Sequence, residues 1–147
     1  MIADIGRLTR RHEAAHLLCN EIEQVFAAIP KNNPPASVAY LIWQDPLMTV
    51  GGDTFINDML LHAGLVNIFS SSNRYPVIEP GQLQALKPQF IFLSSEPYPF
   101  QQKHLEQWQP MFPDSEIVLV DGEMFSWYGS RLLQAPAYFN HLIKRLY

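Results

Sequence analysis

Three short apolar runs, separated by stretches with helical patterns, constrain the fold of this chain most. They are VAYLIW at 38–43, QFIFLS at 89–94 and EIVLV at 116–120. Each has the length of a strand and is apolar almost throughout, as strands buried on both faces are. Alternation of strands with helices requires crossover connections and favours a mostly parallel sheet. We therefore predict an α/β fold in three layers, with helices on both faces of the sheet.

The helical segments are bounded by recognisable start and stop residues. Residues 7–29 carry apolar side chains near helical spacing, with Thr9 as a cap and Pro30 beyond the end. Gly64 ends a second helix, which Asp53 or Thr54 caps. The predicted helices cover 7–29, 54–63, 81–87, 101–109 and about 131–146, whereas 44–53 and 121–131 are predicted to be loops.

The composition indicates a folded domain with too few charged residues to cover its whole surface. The chain has 147 residues, of which 48% are hydrophobic, 12% aromatic and only 16% charged. A domain with so few charges has either a binding face or a larger assembly around it. The net charge of −4 argues against nucleic acid as a partner. A single cysteine, Cys19, excludes an internal disulfide and a cysteine-rich metal site.

The N-terminal residues, MIADIGRLTRRHEAAH, lack the apolar stretch and cleavage site of a signal peptide. No apolar run approaches the roughly 18 residues that a membrane span needs. Expressed as written, the chain is expected to remain in the cytoplasm.

The loops after the three strands hold the candidate binding residues. In a parallel sheet, ligands bind beyond the carboxyl ends of the strands. Tryptophan and tyrosine offer a large apolar area with a polar group, and arginine pairs with carboxylates or phosphates. On this basis we predict ligand contacts from Trp43, Glu96, Trp127, Tyr128 and Arg131. The same segments also contain Tyr98, Phe100, Asp121, Glu123 and Phe125.

Other chemistries have weaker support in the sequence. A hydrolase would combine Ser94 or Ser95 with His104 and Asp121, but FLSSEP is no nucleophile elbow. The VGGD sequence at 50–53 could hold an anion, although the glycine pair suits a sharp turn better. His12 and His16 share one helix face, with no third ligand implied by spacing. We predict neither a catalytic group nor a metal site.

Several stretches resemble one protein family in order along the chain. VAYLIWQDPLMTVGGDTFINDMLLHAGLVNIF at 38–69 contains Gly64, Asn67 and Phe69 at the family's spacing. RYPVIEPGQLQALKPQFIFLSSEPYPF and DGEMFSWYGSRLLQAP follow in the same order. Together they resemble the C-terminal lobe of the helical-backbone substrate-binding proteins of ABC importers, which carry cobalamin and ferric siderophores.

The resemblance implies a domain organisation. Residues 1–30 would be the end of the helix that bridges the two lobes of such a receptor. Residues 36–147 would be its Rossmann-like C-terminal lobe, and the N-terminal lobe would be absent from this chain. Without that lobe, the N-terminal helix and the cleft face would both leave apolar area uncovered, which would allow self-association.

The resemblance also implies a function. The lobe would bind cobalamin or an iron chelate in the periplasm and deliver it to a membrane permease, without catalysis and without a permanent cofactor. Tyr75 would stack on the ligand. Glu79 would contact the permease, in place of a family glutamate expected near Gly81.

Two alternatives remain open at this point. One is an interaction or assembly module that pairs through the exposed cleft face. The other is a small α/β enzyme that uses Glu96 or Asp121 as acid or base.

Overall fold

The computed structural model describes residues 1–30 and 34–147. By its internal contacts the chain divides into two compact units. The unit Lys31–Ser126 contains the whole sheet and is called the sheet unit. Met1–Pro30 and Trp127–Tyr147 together form the helical unit. The predicted division into 1–30 and 36–147 stays a prediction, although residues 127–147 group with 1–30 by contacts.

The sheet has five strands and is mostly parallel. Its centre consists of β1 (Ala36–Gln44), β4 (Phe90–Ser94) and β5 (Glu116–Val120), which lie side by side and parallel. Val38 lies opposite Phe90, which in turn lies opposite Glu116. The parallel sheet predicted from the three apolar runs is therefore confirmed.

Two short strands pair with successive parts of β1. β3 (Leu65–Asn67) is parallel to its beginning, and β2 (Leu47–Thr49) is antiparallel to its end. The prediction of a loop over 44–53 is thus wrong in part, because Leu47–Thr49 form a hairpin with β1. Three residues are too few for a periodic pattern, so the sequence alone does not distinguish this strand from a loop.

The sheet is covered on both faces. On one face, α4 (Pro80–Leu86) and α5 (Gln102–Trp108) contribute Leu83 and Trp108 to an apolar cluster with residues of β1, β4 and β5. On the other, the short helix α6 (Glu123–Ser126) places Phe125 against Tyr40 and Phe92. The α/β fold class is as predicted.

The helix α3 (Phe55–His62) begins and ends where the sequence predicts. The Thr54 hydroxyl oxygen accepts a hydrogen bond from the Asn57 amide at 3.2 Å, which satisfies one of the unpaired donors of the first turn. Gly64 follows the helix with a φ of 76°, a conformation that glycine adopts without steric cost.

The helical unit differs from the predicted long helix. α1 (Ile2–Leu8) and α2 (His12–Ala27) are separated at Arg10, whose φ of 58° cannot continue a helix. Thr9 does not cap α2, because its hydroxyl donates to the Ile5 carbonyl and closes α1. The break folds α1 back on α2, so Ala15 is buried beside Gly6.

The segment 121–131, predicted as one loop, contains α6 and the first part of a 3₁₀ helix at Gly129–Leu133. The last helix, α7, covers Ala135–Leu146 and starts four residues later than predicted. None of the described helices is both long and apolar enough to cross a bilayer.

Candidate functional site

A cavity of about 510 Å³ lies in the sheet unit, at the carboxyl ends of β1 and β4. Its volume falls in the range of small-molecule sites. The walls are mostly apolar or aromatic, with one carboxylate and one serine hydroxyl among them. The residues that line it are Ile42, Trp43, Met48, Ile56, Tyr75, Glu96, Pro97 and Ser126.

Trp43 forms one aromatic wall of this cavity. It is the second-last residue of β1 and lies opposite Met48 of β2. Its indole Nε1 donates to the Asp45 carbonyl at 2.9 Å, and its ring contacts Tyr98 edge-on at a centroid distance of 5.6 Å. The ring is thereby fixed in orientation while 38% of the residue remains exposed.

Tyr75 forms a second aromatic wall and is 47% exposed. The backbone carbonyls on either side of it, of Arg74 and Pro76, accept hydrogen bonds from the amides of Gly51 and Thr49 at 2.7 and 3.1 Å. The segment that carries Tyr75 therefore runs along the edge of the β2 hairpin as an additional extended segment.

Glu96 supplies the carboxylate of the cavity. It follows β4 by two residues, and its Oε1 accepts a hydrogen bond from the Ser126 hydroxyl at 2.8 Å. A Cβ on Gly122 would overlap the Glu96 side chain and the Ser94 hydroxyl, so a glycine there allows α6 to approach this strand end. The short helix α6 thus helps to orient Glu96.

Trp127, Tyr128 and Arg131 belong to the helical unit. The Arg131 guanidinium lies 5.7 Å from the Trp127 ring centroid, within cation–π range, and donates to the Gln134 side chain at 3.2 Å. Trp127 and Tyr128 are both about half-exposed. That these three residues share one edge with Trp43, Tyr75 and Glu96 stays a prediction.

Other aromatic side chains of the strand-end loops are in the core. Phe100 and Phe125 are buried, and Tyr98 packs between Trp43 and Phe100. Sequence reasoning missed the apolar lining side chains Ile42, Met48 and Ile56. Met48 falls in a segment that the sequence predicts to be a loop, and the sequence does not show which side of α3 carries Ile56.

The residues of the hydrolase alternative have structural roles. The buried Ser94 hydroxyl donates to the Glu96 carbonyl at 2.6 Å and lies 3.0 Å from the Tyr40 hydroxyl. The Ser95 hydroxyl accepts from the Gly122 amide at 2.9 Å. His104 is buried in α5, where its Nδ1 accepts from the Gln101 amide at 2.8 Å. These bonds terminate a strand and begin a helix.

The anion and metal alternatives have no better support. The amides of Gly51 and Gly52 donate to the carbonyls of Arg74 and Ser72, so this glycine pair forms a backbone turn. His16 contacts Asn20 at 3.0 Å on α2. Within residues 1–30 and 34–147, no group of three histidine, cysteine or acidic side chains is arranged to hold a metal ion.

Glu79 lies immediately before α4, on the surface. Its amide donates to the Gln82 side chain at 2.7 Å, and Pro80 occupies the first helical position. Glu79 is thus held at the start of a helix, and its contact with a permease stays a prediction.

Comparison with solved structures identifies the fold. A possible iron-binding (periplasmic solute-binding) protein from Staphylococcus epidermidis is 21% identical, with a TM-score of 0.76 over 99% of this chain and 60% of that one. The periplasmic heme-binding protein RhuT from Roseiflexus is 16% identical, with a TM-score of 0.74 over 99% and 60%. The periplasmic vitamin B12 binding protein BtuF of Vibrio cholerae is 17% identical, with a TM-score of 0.67 over 94% and 54%.

No family model matches the chain, and no curated protein sequence matches it. The chain spans about 60% of the length of the first solved structures that it matches. At this level of sequence identity the likeness concerns the fold. The chain therefore has the fold of part of these periplasmic binding proteins.

Proposed function

We propose that this chain is the ligand-binding lobe of an ABC-importer substrate-binding protein for cobalamin or an iron chelate. The observation that carries the proposal is the cavity at the carboxyl ends of β1 and β4, with Trp43 and Tyr75 in its wall. Two half-exposed rings in one apolar cavity suit a large ligand with flat apolar faces. Solved structures of the same fold include proteins for heme and vitamin B12, which are large ligands built around a macrocycle.

Glu96 would accept hydrogen bonds from amide, hydroxyl or other donor groups of the ligand. Its position on the wall, held by Ser126, supports that role. Trp127, Tyr128 and Arg131 would add ring contacts and pair with ligand carboxylates or phosphates. These three assignments rest on the resemblance and on the chemistry of the side chains.

The cavity would be one wall of a two-walled cleft. The portion of the similar structures that this chain does not cover would supply the opposite wall. Binding sites bury most of their ligand, so one wall alone holds it weakly. The complete receptor would work in the periplasm and deliver its ligand to the permease, with Glu79 of this lobe as a contact. No catalytic step and no permanent cofactor are part of this proposal.

Equilibrium dialysis of the chain against cyanocobalamin, hemin and a ferric hydroxamate tests the binding role. We expect saturable binding of at least one probe with a Kd between about 10 μM and 1 mM, as befits a half-built site. Tyr75→Ala should raise this Kd about tenfold, since an anchoring ring contributes on the order of 1.4 kcal/mol. Tyr147→Ala, which removes an exposed tyrosine at the chain end, is the matched control.

Absence of saturable binding by all three probes would contradict the proposal. Equal effects of Tyr75→Ala and Tyr147→Ala would place the ligand elsewhere. Arg131→Gln tests the polar contacts separately from the ring contacts. It should lower the affinity for hemin, which has two carboxylates, more than the affinity for cyanocobalamin.

An assembly role is the second candidate. It is favoured by Tyr75 and Val77, which are both exposed apolar residues on the extended segment beside β2. An exposed edge of this kind is a surface for pairing with another chain. Self-association that rises with concentration in sedimentation, and that Val77→Lys abolishes without changing probe binding, would support assembly over transport.

A further inference from the structure

The segment that carries Tyr75 is held by a side chain that does not itself line the cavity. Asp53 lies just before α3, and its Oδ1 accepts a hydrogen bond from the Arg74 amide. Arg74 immediately precedes Tyr75 in the chain. Its φ of 59° lies in the left-handed region, which non-glycine residues rarely occupy. A disfavoured conformation of this kind persists only where surrounding contacts maintain it.

We propose that Asp53 is a positioning residue for the ligand cavity, which acts by holding Arg74 in its left-handed conformation and thereby fixing Tyr75 on the wall. This inference rests on the proposed ligand-binding function of the cavity, although the local conformation can be tested without a ligand.

The neighbouring hydrogen bonds show why the Asp53 side chain controls the conformation of Arg74. The Gly52 amide donates to the Ser72 carbonyl at 2.9 Å, and the Gly51 amide donates to the Arg74 carbonyl at 2.7 Å. These bonds fix the carbonyl side of the segment. The Arg74 amide, on the other side of the same residue, is held by Asp53. Without this acceptor, Arg74 can relax to a negative φ and rotate the following peptide.

Rotation at this point moves the cavity wall. Tyr75 is the next residue, and its ring lines the cavity together with Trp43. The binding-competent conformation has Arg74 in the left-handed region and Tyr75 on the cavity wall. If only a fraction of the molecules adopts it, the apparent Kd for a ligand rises by the reciprocal of that fraction. Asp53 therefore affects affinity while lying outside the cavity.

Asp53→Ala, Asp53→Asn and the double variant Asp53→Ala with Arg74→Gly form the test set. Asparagine keeps an acceptor oxygen and removes only the charge. Glycine adopts a left-handed conformation without steric cost, so Arg74→Gly should restore the geometry that Asp53→Ala releases. All three changes are at exposed positions, so the variants should retain the fold.

Amide hydrogen exchange without ligand is the first measurement. Asp53→Ala should speed exchange of the Arg74 amide, which loses its acceptor, and of the Gly51 amide, which donates to the Arg74 carbonyl, about tenfold or more through local opening, with the β4 amides unchanged. Asp53→Asn should exchange like the parent. Unchanged exchange of the Arg74 and Gly51 amides in Asp53→Ala would overturn the proposal, as would an equal rise across the whole sheet unit.

Dialysis against the probe that the parent binds is the second measurement. Asp53→Ala should raise its Kd about fivefold, with Asp53→Asn within about twofold of the parent and the double variant close to it. Equal losses in Asp53→Ala and Asp53→Asn would indicate a charge effect and overturn the positioning role. If the parent binds none of the probes, the proposed function fails, and the exchange measurement still decides whether Asp53 holds Tyr75.

Discussion

Two groups of aromatic side chains in the sheet unit have opposite environments. Tyr40, Phe92 and Phe125 are fully buried, with Phe125 5.2 Å from Tyr40 and 6.2 Å from Phe92 between ring centroids. Trp43 and Tyr75 are partly exposed and line a cavity. Trp43 and Phe125 both come from segments that end or follow strands at the same edge of the sheet. Position beyond a strand end therefore does not decide whether a ring stabilises the fold or meets a ligand.

The difference arises from what covers each ring. Phe125 lies on α6, which the glycine at 122 allows to approach the end of β4. Trp43 is held at its edges, by the Asp45 carbonyl and by Tyr98, which leaves area of its indole uncovered. The first group should carry stability and the second should carry binding.

Phe125→Ala should have the largest effect on stability. Removing a fully buried phenylalanine leaves a void and lowers the free energy of unfolding by about 3–5 kcal/mol. Urea unfolding followed by circular dichroism measures this loss, with Tyr147→Ala as the exposed-aromatic control, expected within about 0.5 kcal/mol of the parent. A loss below about 1.5 kcal/mol would mean that Phe125 is not part of the core as described.

Gly52→Ala should have the next largest effect. A Cβ at this position would overlap the Ser70 carbonyl oxygen, and backbone must shift to admit it. We expect a loss of about 1–3 kcal/mol in the free energy of unfolding. Gly81→Ala is the matched control, because no atom lies within 4 Å of a Cβ added there. Equal losses of stability in the two glycine variants would contradict the close contact between Gly52, which follows β2, and the backbone at Ser70.

Tyr75→Ala should change stability little, in contrast with Phe125→Ala. The ring is half-exposed, so we expect a change within about 0.5 kcal/mol in the free energy of unfolding. The effect of this variant should appear in ligand binding instead. A loss of several kcal/mol, with unchanged probe affinity, would assign Tyr75 to the core and remove it from the site.

The Lys87–Asp114 ion pair should have the smallest effect. The hydrogen bond that the Lys87 ammonium donates to the Asp114 carboxylate, and then the charge of that carboxylate, raise the pKa of Lys87 above its ordinary value. A raised pKa in the folded state adds stability that is complete below the unfolded pKa of about 10.4 and disappears as the pH rises through the folded value. Both side chains are largely exposed, so salt should screen the pair.

Urea midpoints of the parent and Lys87→Met measure that difference. It should be constant between about pH 7 and 9 and shrink above about pH 10.4. A difference that grows with alkaline pH would contradict the sign of the effect.

Much of the fold follows from the sequence because its signals are local. The apolar runs of β1, β4 and β5 are long enough to be distinguished, and Thr54 and Gly64 mark the ends of α3. The short elements β2 and α6 have three and four residues, which is too little for any periodicity. The break at Arg10 depends on a packing contact between Gly6 and Ala15 that no local pattern shows.

The candidate site is less predictable than the fold. Trp43 and Glu96 are predictable because they lie at, or just beyond, the end of a predicted strand, whereas Tyr75 is predicted only through the family resemblance. Met48 and Ile56 reach the cavity through the hairpin and the orientation of α3, which are tertiary features. Asp53 acts through a hydrogen bond to a residue 21 positions away, and its sequence context suggested only a helix cap.

The three tryptophans allow the most direct test of the ligand site. Trp43 lines the cavity, Trp108 is buried with 6% exposure, and Trp127 lies in the helical unit. Their indole N–H signals in a ¹H–¹⁵N spectrum, assigned with single tryptophan-to-phenylalanine variants, report on each location separately. Paramagnetic hemin should broaden the Trp43 signal at the lowest concentration, and diamagnetic cyanocobalamin should shift it, while the Trp108 signal stays in place. A Trp43 signal that neither ligand affects at saturating concentration would contradict the assignment of this cavity as the binding site.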